Sequence, residues 1–366
     1  MLHFIYFIYY HGHIKFVFYV NIQIKYSILL GNQILAMYYK VALSFLIVAC
    51  IVYILVPSPS DEKLSSHFKE KVVLICGASS GIGEELAYQL ARYDTKLVLV
   101  ARNQEKLDHV KEGVMKLGNM NVKTISFDFS DVKDSSRVIN QTVAWYGKLD
   151  YLVSNHAAMI SGAFLAFPHQ QNPEYLEQIF RINLFSQIEL AIHAIPLLEA
   201  SNGHMFFTSS IAGEVPFYVN SIYCSTKHAM NGFFYSLQQE LIAKESKVSL
   251  TIGAFGLILT NDLKAVFESA NTLKRIPSYA VGDVKECAHG MVESYVKRPQ
   301  TMTYPQVANY LMRFLWYFYP SFHELMIKLN KPEEAKGSGY DEMINVMTAG
   351  KEIKKKLKFQ QGYDGN

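Results

Sequence analysis

The chain has 366 residues, half of them apolar, which is enough for one large α/β domain with appendages. Its formal net charge of +3 and the absence of a dense Lys/Arg block from its body argue against a nucleic-acid partner. The four cysteines (Cys50, Cys76, Cys224 and Cys287) have neither zinc-ligand spacing nor a disulfide-rich pattern, so no metal site is expected.

Residues 1–36 are rich in Phe, Tyr and Ile but interrupted by Lys15, Asn21, Gln23 and Lys25. They read as an uncertain extension upstream of Met37, with a second membrane segment as the alternative. Val41 to Val56 carry no charge, and with Tyr38 and Tyr39 in front they approach the roughly 20 apolar residues that cross a bilayer. Residues 37–57 are therefore expected to be a transmembrane anchor, with membrane as a partner, and residues 58–70 a Pro/Ser-containing linker. Lys40 before the span and Asp61 and Glu62 after it place the N-terminus in the cytosol and the following domain in the lumen. On that side the Asn140-Gln141-Thr142 sequon becomes relevant.

From Lys71 the pattern becomes strand, glycine loop, helix, and residues 71–300 read as one Rossmann-type, doubly wound parallel α/β domain. Val72–Cys76 is a short apolar run suited to a buried parallel strand. Gly77, Ser79, Ser80, Gly81, Ile82 and Gly83 follow, in a loop whose backbone can approach a pyrophosphate at a helix N-terminus. A second strand over 96–100 leads to Ala101 and Arg102. An arginine there, where a carboxylate would read the ribose hydroxyls, pairs with a 2′-phosphate and favours NADP(H) over NAD(H). Asp128 ends a third strand, where it faces an adenine or caps the next helix. A fourth strand over 149–153 ends at Asn155, which is placed to hold the loop around the dinucleotide, and at His156, which is not expected to be a catalytic base.

A fifth strand over 205–208 ends at Ser209 and Ser210, and ligand sites in such sheets lie at strand carboxyl ends. Tyr223 follows thirteen positions after Ser210, and Lys227 follows four after that, in a helical stretch to about Ala243. Residues i and i+4 share a helix face, so both point into one cleft. Carbonyl reduction needs a proton donor, and a tyrosine serves if a nearby ammonium lowers its pKa. The expected catalytic set is Tyr223 as acid/base, Lys227 lowering its pKa and holding a ribose, Ser210 orienting the substrate, and Asn183 holding a water for proton supply.

Gly77-x-x-x-Gly81-x-Gly83, Asn155-His156-Ala157, Asn183, Ser210 and Tyr223-x-x-x-Lys227 together resemble the short-chain dehydrogenase/reductase family over roughly Lys71 to Lys264. Within it, Ala101-Arg102, Ser201-Asn202-Gly203, Gly256-Leu257-Ile258 and the N-terminal anchor look most like the membrane-anchored 11β-hydroxysteroid dehydrogenase group. The resemblance implies NADP(H)-dependent interconversion of a ketone and an alcohol on a lipophilic small molecule such as a steroid, in the endoplasmic reticulum. It also implies Ile258 and Thr260 near the nicotinamide, and a homodimer, since members commonly pair. Three positions depart from the pattern: His156-Ala157-Ala158 after Asn155, Phe255 before Gly256, and Ser80 where the steroid enzyme has lysine.

Phe217 and Tyr218 are expected to line the substrate side, and Leu263, Val266 and Phe267 to form a lid. Residues 301–330 are dense in aromatics and read as a membrane-docking or dimer segment, and 331–366 as a flexible tail. A retinol-type or other lipid carbonyl reductase is the enzyme alternative. A catalytically silent dinucleotide-binding scaffold is the alternative from another class; it would bind cofactor without turnover.

Overall fold

In the computed structural model, the structure describes residues 58–158, 172–217, 220–261, 263–264 and 276–319, with 321 and 324. The expected anchor, the extension before it, the tail, and Tyr218, Val266, Phe267 and Phe322 lie outside the described residues. No helix among the described residues is long and apolar enough to cross a membrane.

The core is a seven-stranded, wholly parallel sheet in the order β3-β2-β1-β4-β5-β6-β9. Its strands are β1 (Val72–Cys76), β2 (Lys96–Ala101), β3 (Val122–Ser126), β4 (Tyr151–Ser154), β5 (His204–Ser210), β6 (Ser249–Phe255) and β9 (Thr301–Tyr304). A two-stranded pair, β7 (Leu257–Ile258) with β8 (Val281–Gly282), lies beyond β6. β1 and β4 are buried at every position, as continuous apolar strands covered on both faces must be.

Helices cover both faces and divide the core in two. On one side, α2 (Gly81–Leu90) packs with α8 (Val284–Lys297) over Val73, Ile75, Leu97 and Leu99. On the other, α4 (Ser136–Tyr146), α6 (Ser186–Ser201) and α7 (Ser221–Ala243) cover Leu74, Cys76, Val98 and Phe207. α3 (Gln104–Lys116) joins β2 to β3, and α5 (Pro173–Phe180) leads into a π-helical turn, Arg181–Phe185.

Two expected boundaries are corrected. Within the segment expected to be a linker, Asp61–Phe68 is a helix, α1, capped by the Ser60 hydroxyl, which accepts from the Lys63 N–H. Leu64 and Phe68 are buried in the core, and the Phe68 ring meets Tyr93, Tyr151 and Tyr295 at 5.7–5.8 Å between centroids. Short polar stretches hide such helices, because only two of eight side chains face inward. The domain also continues past residue 300. Thr301–Tyr304 is the edge strand β9, and α9 (Gln306–Phe318) follows, anchored by buried Asn309 donating to the Ala254 and Tyr304 carbonyls.

Candidate active site

The strand order reverses direction between β1 and β4, which opens a crevice at their carboxyl ends. The glycine loop fills its rim. Gly77 has φ +85° and Gly81 φ +62°, a region that side chains disfavour. The Gly77 and Ala78 N–H groups donate to the Val100 carbonyl, and the Asn155 side chain donates to the Gly77 carbonyl at 3.2 Å. Ser80 precedes α2 without a side-chain cap bond, so the helix N-terminus offers its N–H groups to an anion. A Cβ on Gly81 would stand 2.7 Å from Thr260 Cγ2 and one on Gly83 2.2 Å from the Gly77 oxygen. Close approach thus dictates these glycines, and the cradle fits the pyrophosphate of a dinucleotide.

The adenosine side is split. Ser79, Ser80 and Gly81 share a cleft with Asn103, Lys106 and Thr260. Arg102 instead lines a separate hollow with Asp128, Asp131, Asp134 and Arg137. Asp128 caps no helix; its carboxylate accepts from the Ser130 N–H in a local turn and borders that hollow.

At the end of β5, the Ser210 hydroxyl donates to the Phe255 carbonyl on β6 and accepts from the Ala212 N–H. Tyr223 sits in the first turn of α7, near enough to Ser210 for that side chain to favour its ionised form. Lys227, one turn later, is almost fully buried. Its Nζ donates to the Thr208 carbonyl at 2.8 Å and lies 5.8 Å from the Tyr223 ring centroid. Burial pushes the Tyr223 phenol up to about 12, against the smaller influence of Ser210. Burial also pulls the Lys227 ammonium down to about 8. Desolvation is the largest influence on the phenol, and the Lys227 amine is engaged by the Thr208 carbonyl.

Asn183 lies in the π-helical turn, fully buried. Its Oδ1 accepts from the Ala158 N–H at 2.7 Å, and its Nδ2 donates to the Ala158 carbonyl and to Thr226. Such turns recur at functional sites. Both ends of the amide are bound to protein atoms, so this geometry makes Asn183 a brace between the chain after β4 and α7. Ile258 is buried in β7, and Thr260 follows it against the glycine loop. Phe217 precedes α7, its N–H donating to Cys224 Sγ. Leu263 N–H reaches the Thr260 hydroxyl.

His156 is buried, stacked on Phe129 with 3.7 Å between ring centroids and bonded to Ser186 at 2.8 Å. Burial lowers its pKa to about 3, so it stays neutral and braces the loop.

Two positioning contacts escape sequence reading. Ser209 donates to Asn231 Oδ1 at 2.5 Å, and Asn231 Nδ2 donates to the Gly213 carbonyl, clamping α7 to the end of β5. A weak signal exists, since Asn231 continues the Tyr223–Lys227 face by one further turn. Glu214 takes a forked ion pair from Arg313 on α9, ninety-nine residues on, which no local pattern announces.

The short chain dehydrogenase family model matches residues 71–271, more than half the chain, from the glycine loop through Asn155, Asn183, Ser210, Tyr223 and Lys227 to Thr260. The chain belongs to that family. It is an oxidoreductase acting on a CH–OH group or the corresponding carbonyl of a small molecule, in a family that binds a nicotinamide dinucleotide. It is 32% identical to a hydroxysteroid 11-beta-dehydrogenase 1-like protein of Xenopus tropicalis over 273 residues, 75% of this chain and 91% of that one. It is 32% identical to 11-beta-hydroxysteroid dehydrogenase-like 2 of Arabidopsis thaliana, covering 69% of this chain and 85% of that one. The fold also matches L-sorbose reductase of Gluconobacter frateurii, solved with NADPH and L-sorbose, with TM-score 0.58 and 22% identity over 64% of this chain and 95% of that one.

Proposed function

We propose that the chain interconverts a ketone and a secondary alcohol on a lipophilic substrate of steroid type, with NADP(H). The observation that carries the reading is Tyr223 and Lys227 one turn apart on α7, with Lys227 Nζ 5.8 Å from the Tyr223 ring, set with Ser210 at the strand ends beside the glycine loop. A bound nicotinamide supplies or accepts the hydride. Tyr223 Oη gives its proton to the carbonyl oxygen in reduction and takes it back in oxidation. A phenol held up near 12 stays protonated across neutral pH, the form reduction needs. Ser210 Oγ hydrogen-bonds the same oxygen, and Lys227 offers N–H donors to ribose hydroxyls. Gly77 to Gly83, Asn155, Ile258 and Thr260 hold the dinucleotide, and Phe217 borders the substrate.

The steroid preference rests on the kinship to hydroxysteroid dehydrogenase-like proteins. The proposal extends to a tether at residues 37–57 in the endoplasmic reticulum membrane, with a lumenal domain. In support, α9 exposes Val307, Tyr310, Leu311, Phe314, Tyr317 and Phe318 along one face, a pattern suited to a bilayer surface. Asn140 is exposed on α4, so a lumenal domain predicts an electrophoretic shift on Asn140→Gln.

The deciding experiment follows NADPH consumption by the full chain in detergent against steroid, retinoid and other lipid carbonyls. Tyr223→Phe should abolish turnover while leaving dinucleotide affinity within about twofold. Equal turnover by the variant refutes the mechanism. Turnover with retinoids alone moves the substrate to the retinol class.

A further inference from the structure

The chain's first cation after β2, Arg102, is the residue that local sequence marks as the reader of a 2′-phosphate. The structure turns it into a hollow shared with three carboxylates, Asp128, Asp131 and Asp134, and with Arg137, which pairs with Asp134 and lies over the Phe127 ring. A phosphate dianion there meets more negative charge than positive.

The cleft on the glycine-loop side differs. Its floor is Ser79, Ser80 and Gly81, at the open N-terminus of α2. Lys106, in the first turn of α3, lines the same cleft, and its own N–H donates to the Asn103 cap. Lys106 makes no ion pair among the described residues. The other charged or titratable groups lining the cleft are Glu84, which accepts from Tyr88, the exposed Glu105, and His109. Lys106 is thus the one permanent cation of this cleft among its described lining residues. Without it, two carboxylates would face any anion.

Ser80 and the start of α3 line one cleft with the glycine loop, so residues there would hold the adenosine ribose of a dinucleotide whose pyrophosphate occupied that loop. We infer that Lys106, which lines the same cleft as Ser80, is the cation that reads the 2′-phosphate and sets NADP(H) over NAD(H), with Arg102 secondary. This rests on the NADP(H) reading above. Charge pairing with a phosphate at close range is strong and ionic-strength dependent. Glu105, next to Lys106, opposes it.

The test measures dissociation constants of NADPH and NADH for the full chain by quenching of protein fluorescence, with no turnover required. Lys106→Gln, Arg102→Gln and Glu105→Gln are compared at two salt concentrations. All three positions are exposed, and melting curves check that the variants fold. The expected result is that Lys106→Gln weakens NADPH about tenfold, leaves NADH unchanged, and flattens the salt dependence of NADPH binding. Glu105→Gln should tighten NADPH alone, and Arg102→Gln should have a smaller effect than Lys106→Gln. A wild-type preference for NADPH that survives Lys106→Gln but falls with Arg102→Gln overturns this inference and leaves the NADP(H) reading standing. Equal weakening of both dinucleotides by Lys106→Gln also overturns it. A wild-type chain that does not prefer NADPH overturns both.

Discussion

Replacing Gly83 with alanine tests whether close backbone approach, and not flexibility, explains the glycine loop. Gly83 is buried in the first turn of α2, in an ordinary helical conformation, so alanine meets no φ penalty there. Helix propensity alone predicts stabilisation by about 1 kcal/mol. The added Cβ would nevertheless stand 2.2 Å from the Gly77 carbonyl oxygen and 2.9 Å from Asn155 Nδ2, against ordinary contacts of 3.4 Å or more. The obstacle is backbone, and it is tied at both sides by the Gly77 N–H to the Val100 carbonyl and by the Asn155 amide. Relieving more than 1 Å of overlap means moving the loop away from α2. Overpacking of this kind costs about 3 kcal/mol, so the net loss is about 2 kcal/mol. For a domain of this size the melting midpoint falls by roughly 4–8 °C. Affinity for either dinucleotide falls at least about tenfold, because the anion cradle itself shifts. Gly232→Ala on α7 is the control. Nothing lies within 4 Å of its added Cβ, so the midpoint should rise by about 2–4 °C with binding unchanged. Differential scanning fluorimetry and dinucleotide titration read both variants. A Gly83→Ala chain with wild-type midpoint and affinity refutes the reasoning.

Two further outcomes follow from the packing. Phe68→Ala should cost about 3–5 kcal/mol in urea unfolding, because the ring is fully buried among three tyrosines, whereas a residue in a linker would cost nothing measurable. Asp150 is buried. Burial alone would raise its pKa, but bonds from Lys148, the Val72 N–H and Lys71 outweigh that and hold it below the usual carboxylate value. Its stabilising contribution is therefore full above the ordinary carboxylate range and is lost as pH falls through the folded-state value. Asp150→Asn should destabilise by about 1–3 kcal/mol at pH 7, and the difference from wild type should shrink towards zero in acid, as denaturant midpoints across pH will show.

The fold class and the order of the site's parts were legible in the chain because each is a local statement. A five-residue apolar run, glycines at 77, 81 and 83, and a helix-forming stretch after them specify strand, tight turn and helix with no distant partner. Tyr223 and Lys227 share a face because a helix repeats every 3.6 residues. A serine at a strand end faces the crevice of any parallel sheet. The edges of the domain were less legible. α1 buries only two residues, and β9 is a four-residue edge strand with two polar threonines and no periodic signal long enough to stand out.

What surrounds those parts was decided only by tertiary structure. The Lys227 amine meets the Thr208 carbonyl because β5 happens to pass under α7, and that same burial raises Tyr223 and lowers Lys227. His156 is neutral because distant segments bury it, the Phe129 ring stacked on it among them, and because the Lys227 charge adds to that effect. Arg102 and Lys106 are four residues apart in the chain, yet the turn from β2 into α3 sets one in a hollow lined by three carboxylates and the other in the cleft lined by Ser80. Desolvation and charge pairing depend on which distant segments meet, and sequence spacing carries that information only when both partners lie within one turn or one strand.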